Sequence, residues 1–196
     1  MRHRAPMIAA ALALLVCTAI AFAQAPSAPP GPGPEVKKMA AIVGTWSTTY
    51  DMKPMPGASS GGKYTSTSTC AWTAGGFGVS CTEKLDMGAM GKVTSVSLVF
   101  YDSEAKNYVH SEIASDGEAF VSRGVVNGDT WTFETNTPMM GKPMHSKATI
   151  TYTSKDACKI KYEMGPDANS MKVAMEGEQT RVKSAAPAAP KTPTKK

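Results

Sequence analysis

The chain has 196 residues, 42 % of them hydrophobic and 19 % charged, which excludes a wholly disordered or membrane-embedded protein. Its formal charge of +5 comes from 21 Lys and Arg against 16 Asp and Glu. Arg2, Arg4, Lys191, Lys195 and Lys196 lie at the two ends, and taking those five from 21 leaves 16, equal to the 16 acidic residues. The body is therefore neutral and offers no basic surface to nucleic acid.

Met1-Arg-His-Arg4 is a positive start, residues 8–22 are an apolar run, and Ala21-Phe-Ala23 is a small-x-small site. Residues 1–23 read as a signal peptide cleaved near Ala23. The run is too short for a comfortable membrane span, so no stable membrane insertion is expected. Cys17 follows Leu15-Val16 and belongs to that run, not to a lipobox. A periplasmic or secreted location follows. Residues 24–34 (QAPSAPPGPGP) read as a Pro/Gly-rich linker and 184–196 as a flexible basic tail. Residues 35–183 remain as one domain.

Residues 35–43 have a short helical pattern, stopped by Gly44. Ten strands follow, at 45–52, 62–73, 77–85, 92–102, 107–114, 118–126, 130–136, 144–154, 158–164 and 171–183. Short regular spacing without further helices predicts an all-β, antiparallel up-and-down barrel, or strands packed as a sandwich. The connections after the even-numbered strands are tight, and Asn127-Gly128 is a strong hairpin signal. Those after the first, third, seventh and ninth, 53–61, 86–91, 137–143 and 165–170, are mostly longer. One end should be closed by turns and the other framed by loops.

Two-residue turns at Gly75-Gly76 and Asn127-Gly128 fix the phasing. Cys70 then faces Cys81, Trp72 faces Val79, and Gly124 faces Trp131. Inward positions include Tyr50, Tyr64, Trp72, Glu83 and Phe120. They continue through Trp131, Phe133, Tyr152 and Tyr162, with Val173 and Met175 near the end. The fourth and fifth strands do not phase cleanly. An interior of aromatic groups beside hydroxyls and one carboxylate suits either a cavity for a small lipophilic or amphipathic ligand, or a filled barrel with internal water.

Gly44-Thr45-Trp46, after a short helix and opening the first strand, resembles the lipocalin and calycin signature. That resemblance implies an indole plugging the closed end with a basic residue laid across it. Arg181 is in phase for that role, a contact worth about 1 kcal/mol. Over nearly all of 35–183 the chain also resembles a bacterial secreted calycin-like domain family of unknown function. The pieces are Val43-Gly-Thr-Trp46, Cys70-Ala-Trp72 with Gly75-Gly76, Phe100-Tyr-Asp102, and Pro138-Met-Met-Gly-Lys-Pro143. The resemblance implies a secreted barrel and supplies no activity. Haem barrels of the wider group use a His near the last strand, and 171–183 has none.

Cys70 and Cys81, opposite each other in an oxidising compartment, predict a disulfide. Cys158 reads as a buried thiol. Met52, Met55, Met87, Met90, Met139, Met140 and Met144, with His145, gather around the longer connections, as do Met164 and Met171. Thioethers with a His suit Cu(I), which gives a periplasmic copper-binding alternative. The same side chains equally suit an adaptable rim for a lipophile, or ordinary gap-filling. Glu83 reads as a grip for a polar ligand head or as a partner for a Lys or Arg. His110 and Glu112 share a strand face, as a solvated pair or part of a metal site. No nucleophile elbow, phosphate loop or HExxH occurs, so catalysis has no motif to support it. No cofactor is expected outside the copper alternative.

Overall fold

Ten strands run antiparallel around a closed ring, each paired with its neighbours in chain order and the first closing on the last. Closure leaves no unpaired sheet edge. The computed structural model describes residues 31–54, 61–139 and 142–183. The expected signal peptide, linker residues 24–30, the basic tail, Met55 and Met140 lie outside the described residues. The barrel belongs to the unit that begins at Pro32.

The strands are β1 (Gly44–Met52), β2 (Gly62–Thr73), β3 (Gly78–Asp86), β4 (Lys92–Asp102), β5 (Asn107–Ala114), β6 (Ala119–Asn127), β7 (Thr130–Met139), β8 (Lys142–Ser154), β9 (Ala157–Gly165) and β10 (Lys172–Arg181). A short helix, α1 (Pro34–Lys38), precedes them and tightens into a 3₁₀ turn at Met39–Ala41. The expected single helix over 35–43 is thus two pieces. Pro34 starts it, because the missing N–H and fixed φ of proline suit a first helical position.

This segment plugs the closed end. Val36 and the fully buried Met39 pack with Val79, Val99 and Tyr108. The Tyr108 hydroxyl reaches the Glu35 carbonyl at 2.9 Å and its carboxylate at 2.8 Å. Gly44, at φ 132°, turns the chain from the plug into β1. A Cβ there would fall 2.2 Å from the Arg181 guanidinium, so both backbone and packing require glycine.

The phasing differs from expectation in four places. The β2–β3 turn is a 3₁₀ turn at Ala74–Gly76, not a two-residue loop, yet Cys70↔Cys81 and Trp72↔Val79 remain paired because the centre of symmetry is unchanged. In β6–β7 the loop is Gly128-Asp129, one step later than expected, so Gly124 faces Phe133 and not Trp131. A shift of two residues in partner keeps every side chain on its face. β7 and β8 extend to Met139 and Lys142, with Pro138 opposite Pro143, so the segment read as a loop over 137–143 is mostly hairpin. A bulge at Ala174 puts Val173 opposite Glu163, out of the inward run that resumes at Met175.

In β4 to β6 the usual polarity is partly reversed. Val96, Leu98, Ile113 and Val121 are exposed outside, while Ser95, Ser97, His110 and Glu112 take the inward positions of the register. This reversal is why β4 and β5 give no clean phase: their two faces carry comparable hydrophobicity.

Candidate binding cavity

The barrel interior encloses a cavity of about 310 Å³, at the small end of known ligand pockets, roughly 300–1,000 Å³. Its floor is built at the closed end. Trp46 is buried, and its Nε1–H donates to the Ile42 carbonyl at 2.8 Å. The Arg181 guanidinium lies over the indole, 4.1 Å from the ring centroid. It donates to the Val43 carbonyl, and to those of Ala41 at 3.3 Å and Lys155 at 3.1 Å. One arginine thus ties the plug, the β8–β9 turn and β10 together. At the same end, Cys70, opposite Gly44, and Cys81 form a disulfide across the β2–β3 hairpin.

The wall has two characters. On β7 to β9 it is apolar: Trp131, Phe133, Ala148, Ile150, Tyr152 and Ile160. Trp131 stacks near Phe133 and packs against Tyr108, with ring centroids 6.3 and 4.8 Å apart. Such offset aromatic pairs add roughly 0.5–1.5 kcal/mol each beyond burial. On β3 to β5 the wall holds both carboxylates of the cavity, Glu83 and Glu112, with Ser97 and His110. His110 Nε2 is 3.4 Å from Glu112 Oε2, and the ring meets Phe120 and Phe133 edge-on at 5.5 and 5.8 Å. The Tyr50 hydroxyl donates to Glu83 at 3.2 Å. Removal from water, and then the Glu83 charge, push the Tyr50 phenol well above its ordinary range. Burial does the same to Tyr152 and lifts the Cys158 thiol to about 11. Cys158 donates to Gln179, whose amide in turn donates to buried Thr48 at 3.0 Å.

Of the residues expected to face a ligand, Tyr50, Glu83 and Phe120 line this cavity, as do Trp131, Phe133, Tyr152 and Tyr162. Trp72 does not. It has the inward phase but is 41 % exposed, because β1 begins at Gly44 opposite Cys70 and leaves the last residues of β2 paired on the β3 side alone. Tyr64 is buried outside the cavity lining, with its hydroxyl 3.2 Å from the Met90 sulfur.

The expected methionine group is carried on β1, the β3–β4 connection, β7 and β8. Met52 and Met87 are half-buried and Met90 is exposed. Met139 ends β7 opposite Lys142. Met144 and His145 are consecutive strand residues and so point to opposite faces. His145 instead meets Asn136 at 2.7 Å and lies 3.7 Å from Glu134. Among the described residues no three His, Cys, Asp or Glu side chains gather as a metal site. Sequence reasoning passed over His110 and Glu112 as cavity residues. Carrying the register from Cys81 across Ser97 to Glu112 would have put them inside.

A closed, plugged ten-stranded antiparallel barrel with an interior cavity is a ligand-binding type of architecture. Residues 31–181 match the family described as protein of unknown function, DUF1579, and the chain belongs to that family. No curated protein matches it. Among solved structures it is similar to Rv2717c from M. tuberculosis, with 14 % identity, TM-score 0.55, and coverage of 77 % of this chain and 99 % of that one. It is also similar to the S-type phycobiliprotein lyase CPES from Guillardia theta, with 12 % identity, TM-score 0.53, and coverage of 76 % and 93 %. At these identities the likeness shows the fold alone.

Proposed function

We propose that this protein holds a small lipophilic or amphipathic molecule inside its barrel, in the periplasm or the medium. The observation that carries the reading is the lining of the cavity. Aromatic and aliphatic groups supply one wall. Ser68 and Ser146, 7 % and 4 % exposed, add buried polar residues to the lining. A filled core rarely takes several hydroxyls and two carboxylates among its aromatic groups, whereas a binding cavity does. The signal-like residues 1–23 and the Cys70–Cys81 disulfide support an oxidising compartment.

Titration with the neutral fluorophore N-phenyl-1-naphthylamine tests this reading. We expect saturable, blue-shifted emission with micromolar affinity. Ala148→Trp, which fills the cavity, should abolish it while leaving the far-UV circular dichroism of the barrel intact. No saturable binding, or equal binding by the filled variant, would overturn the reading.

A further inference from the structure

We infer that the molecule held in the cavity carries a cationic head, an amine on an apolar body, seated against Glu83 and Glu112. This rests on the binding reading above and adds the charge of the guest. Both carboxylates of the cavity lie on one wall, and no Lys or Arg lines it among the described residues. Arg181, the cation nearest the floor, is occupied by Trp46 and by backbone carbonyls.

The partners that Glu83 and Glu112 do have leave their charge incompletely answered. Glu83 receives one hydrogen bond, from the neutral Tyr50 hydroxyl. Glu112 meets His110 at 3.4 Å, and His110 is the one nitrogen base on the lining. Even with His110 protonated, the two carboxylates outnumber the positive charge. An interior of this sign, walled by low-dielectric groups, concentrates cations and repels anions.

The register gives the head a place. Ser68 pairs with Glu83, and Ser97 pairs with Glu112. Cys81 pairs with Ser97, which sets the two carboxylates two strands and two residues apart, or roughly 12 Å between backbones. Ser68, a buried neutral residue, is independent of either charge and stands beside Glu83. An ammonium group offers three donors, enough for one carboxylate and a hydroxyl together. The alkyl or aryl body then extends to Ile150, Ile160 and Trp131 across the cavity.

The test compares decylamine, decanol and decanoate, which share a chain and differ in head charge, as competitors of N-phenyl-1-naphthylamine at one pH and low salt. Decylamine should displace it at least about tenfold better than decanol, a difference of about 1.4 kcal/mol. Decanoate should be the weakest of the three. Glu83→Gln with Glu112→Gln should remove most of the decylamine advantage over decanol. Decanol or decanoate matching decylamine overturns the inference, whether or not the double variant folds. So does an unchanged preference in a folded double variant. Fluorophore binding without any decylamine competition also overturns it while sparing the binding reading. Failure of the fluorophore itself overturns both.

Discussion

Two glycines in this barrel are bound to two aromatic rings. Gly124 stands opposite Phe133, and Gly177 opposite Tyr50. A Cβ at Gly124 would lie 2.6 Å from the Phe133 ring and 2.3 Å from the Thr132 carbonyl, and one at Gly177 would lie 2.7 Å from the Tyr50 ring. In each pair the ring lies across the bare backbone of its partner, which lets a curved sheet bring a bulky group close to the wall. Gly124→Ala should cost about 1–3 kcal/mol by overpacking, read as a lower urea midpoint. Gly177→Ala should cost a similar amount and also disturb N-phenyl-1-naphthylamine binding, because Tyr50 lines the cavity. A fully stable Gly124→Ala protein would show that the ring moves away without loss, contrary to the packing argument.

At the scale of elements, the β2–β3 hairpin is fixed by a covalent tie and the plug by packing. The Cys70–Cys81 disulfide spans a sequence separation of 11, and closing that loop stabilises the fold by roughly 3 kcal/mol in the chain-entropy model. Reduction should therefore lower the urea unfolding free energy by about that much. The register remains without the bond, through the paired strands on both sides of it. A reduced protein with an unchanged midpoint would place the stabilisation elsewhere. The same hairpin illustrates what a sequence can reveal. Cysteines placed symmetrically about a Gly-Gly turn fix their own pairing, whatever the turn's exact form. Regular spacing and tight turns likewise made ten antiparallel strands legible. The hairpin of β7 and β8 was hidden by Pro138 and Pro143, which read locally as a loop but are tolerated here at the strand tips. The acidic wall was hidden by β4 and β5, where Val96 and Ile113 point outward and Ser97 and Glu112 inward. Inverted polarity defeats a rule that assigns the apolar face to the core.

At the scale of the whole molecule, the interior is held by tyrosines whose phenols must stay protonated. Tyr108 braces the plug, Tyr50 faces Glu83, and Tyr152 packs 6.2 Å from Trp46 at the floor. Burial raises all three, and the neighbouring carboxylates Glu35 and Glu83 raise Tyr108 and Tyr50 further. Unfolded, each returns to an ordinary value near 10. The folded state therefore keeps these protons at pH values where the unfolded chain releases them. Their contribution is fully present below about pH 10 and is lost as pH rises from there towards the raised folded values. Each such tyrosine removes at most about 1.4 kcal/mol per pH unit in that window, and three acting together make the decline steep. The urea midpoint should thus be flat across pH 8 to 9.5 as far as these groups decide it, then fall sharply between about 10 and 11.5. Ionisation of the three, followed by absorbance at 295 nm, should coincide with loss of the barrel's far-UV signal. If the whole tyrosine absorbance change instead completes while the barrel stays folded, the phenols are open to solvent and base, and the plug and floor described above are looser than their packing implies.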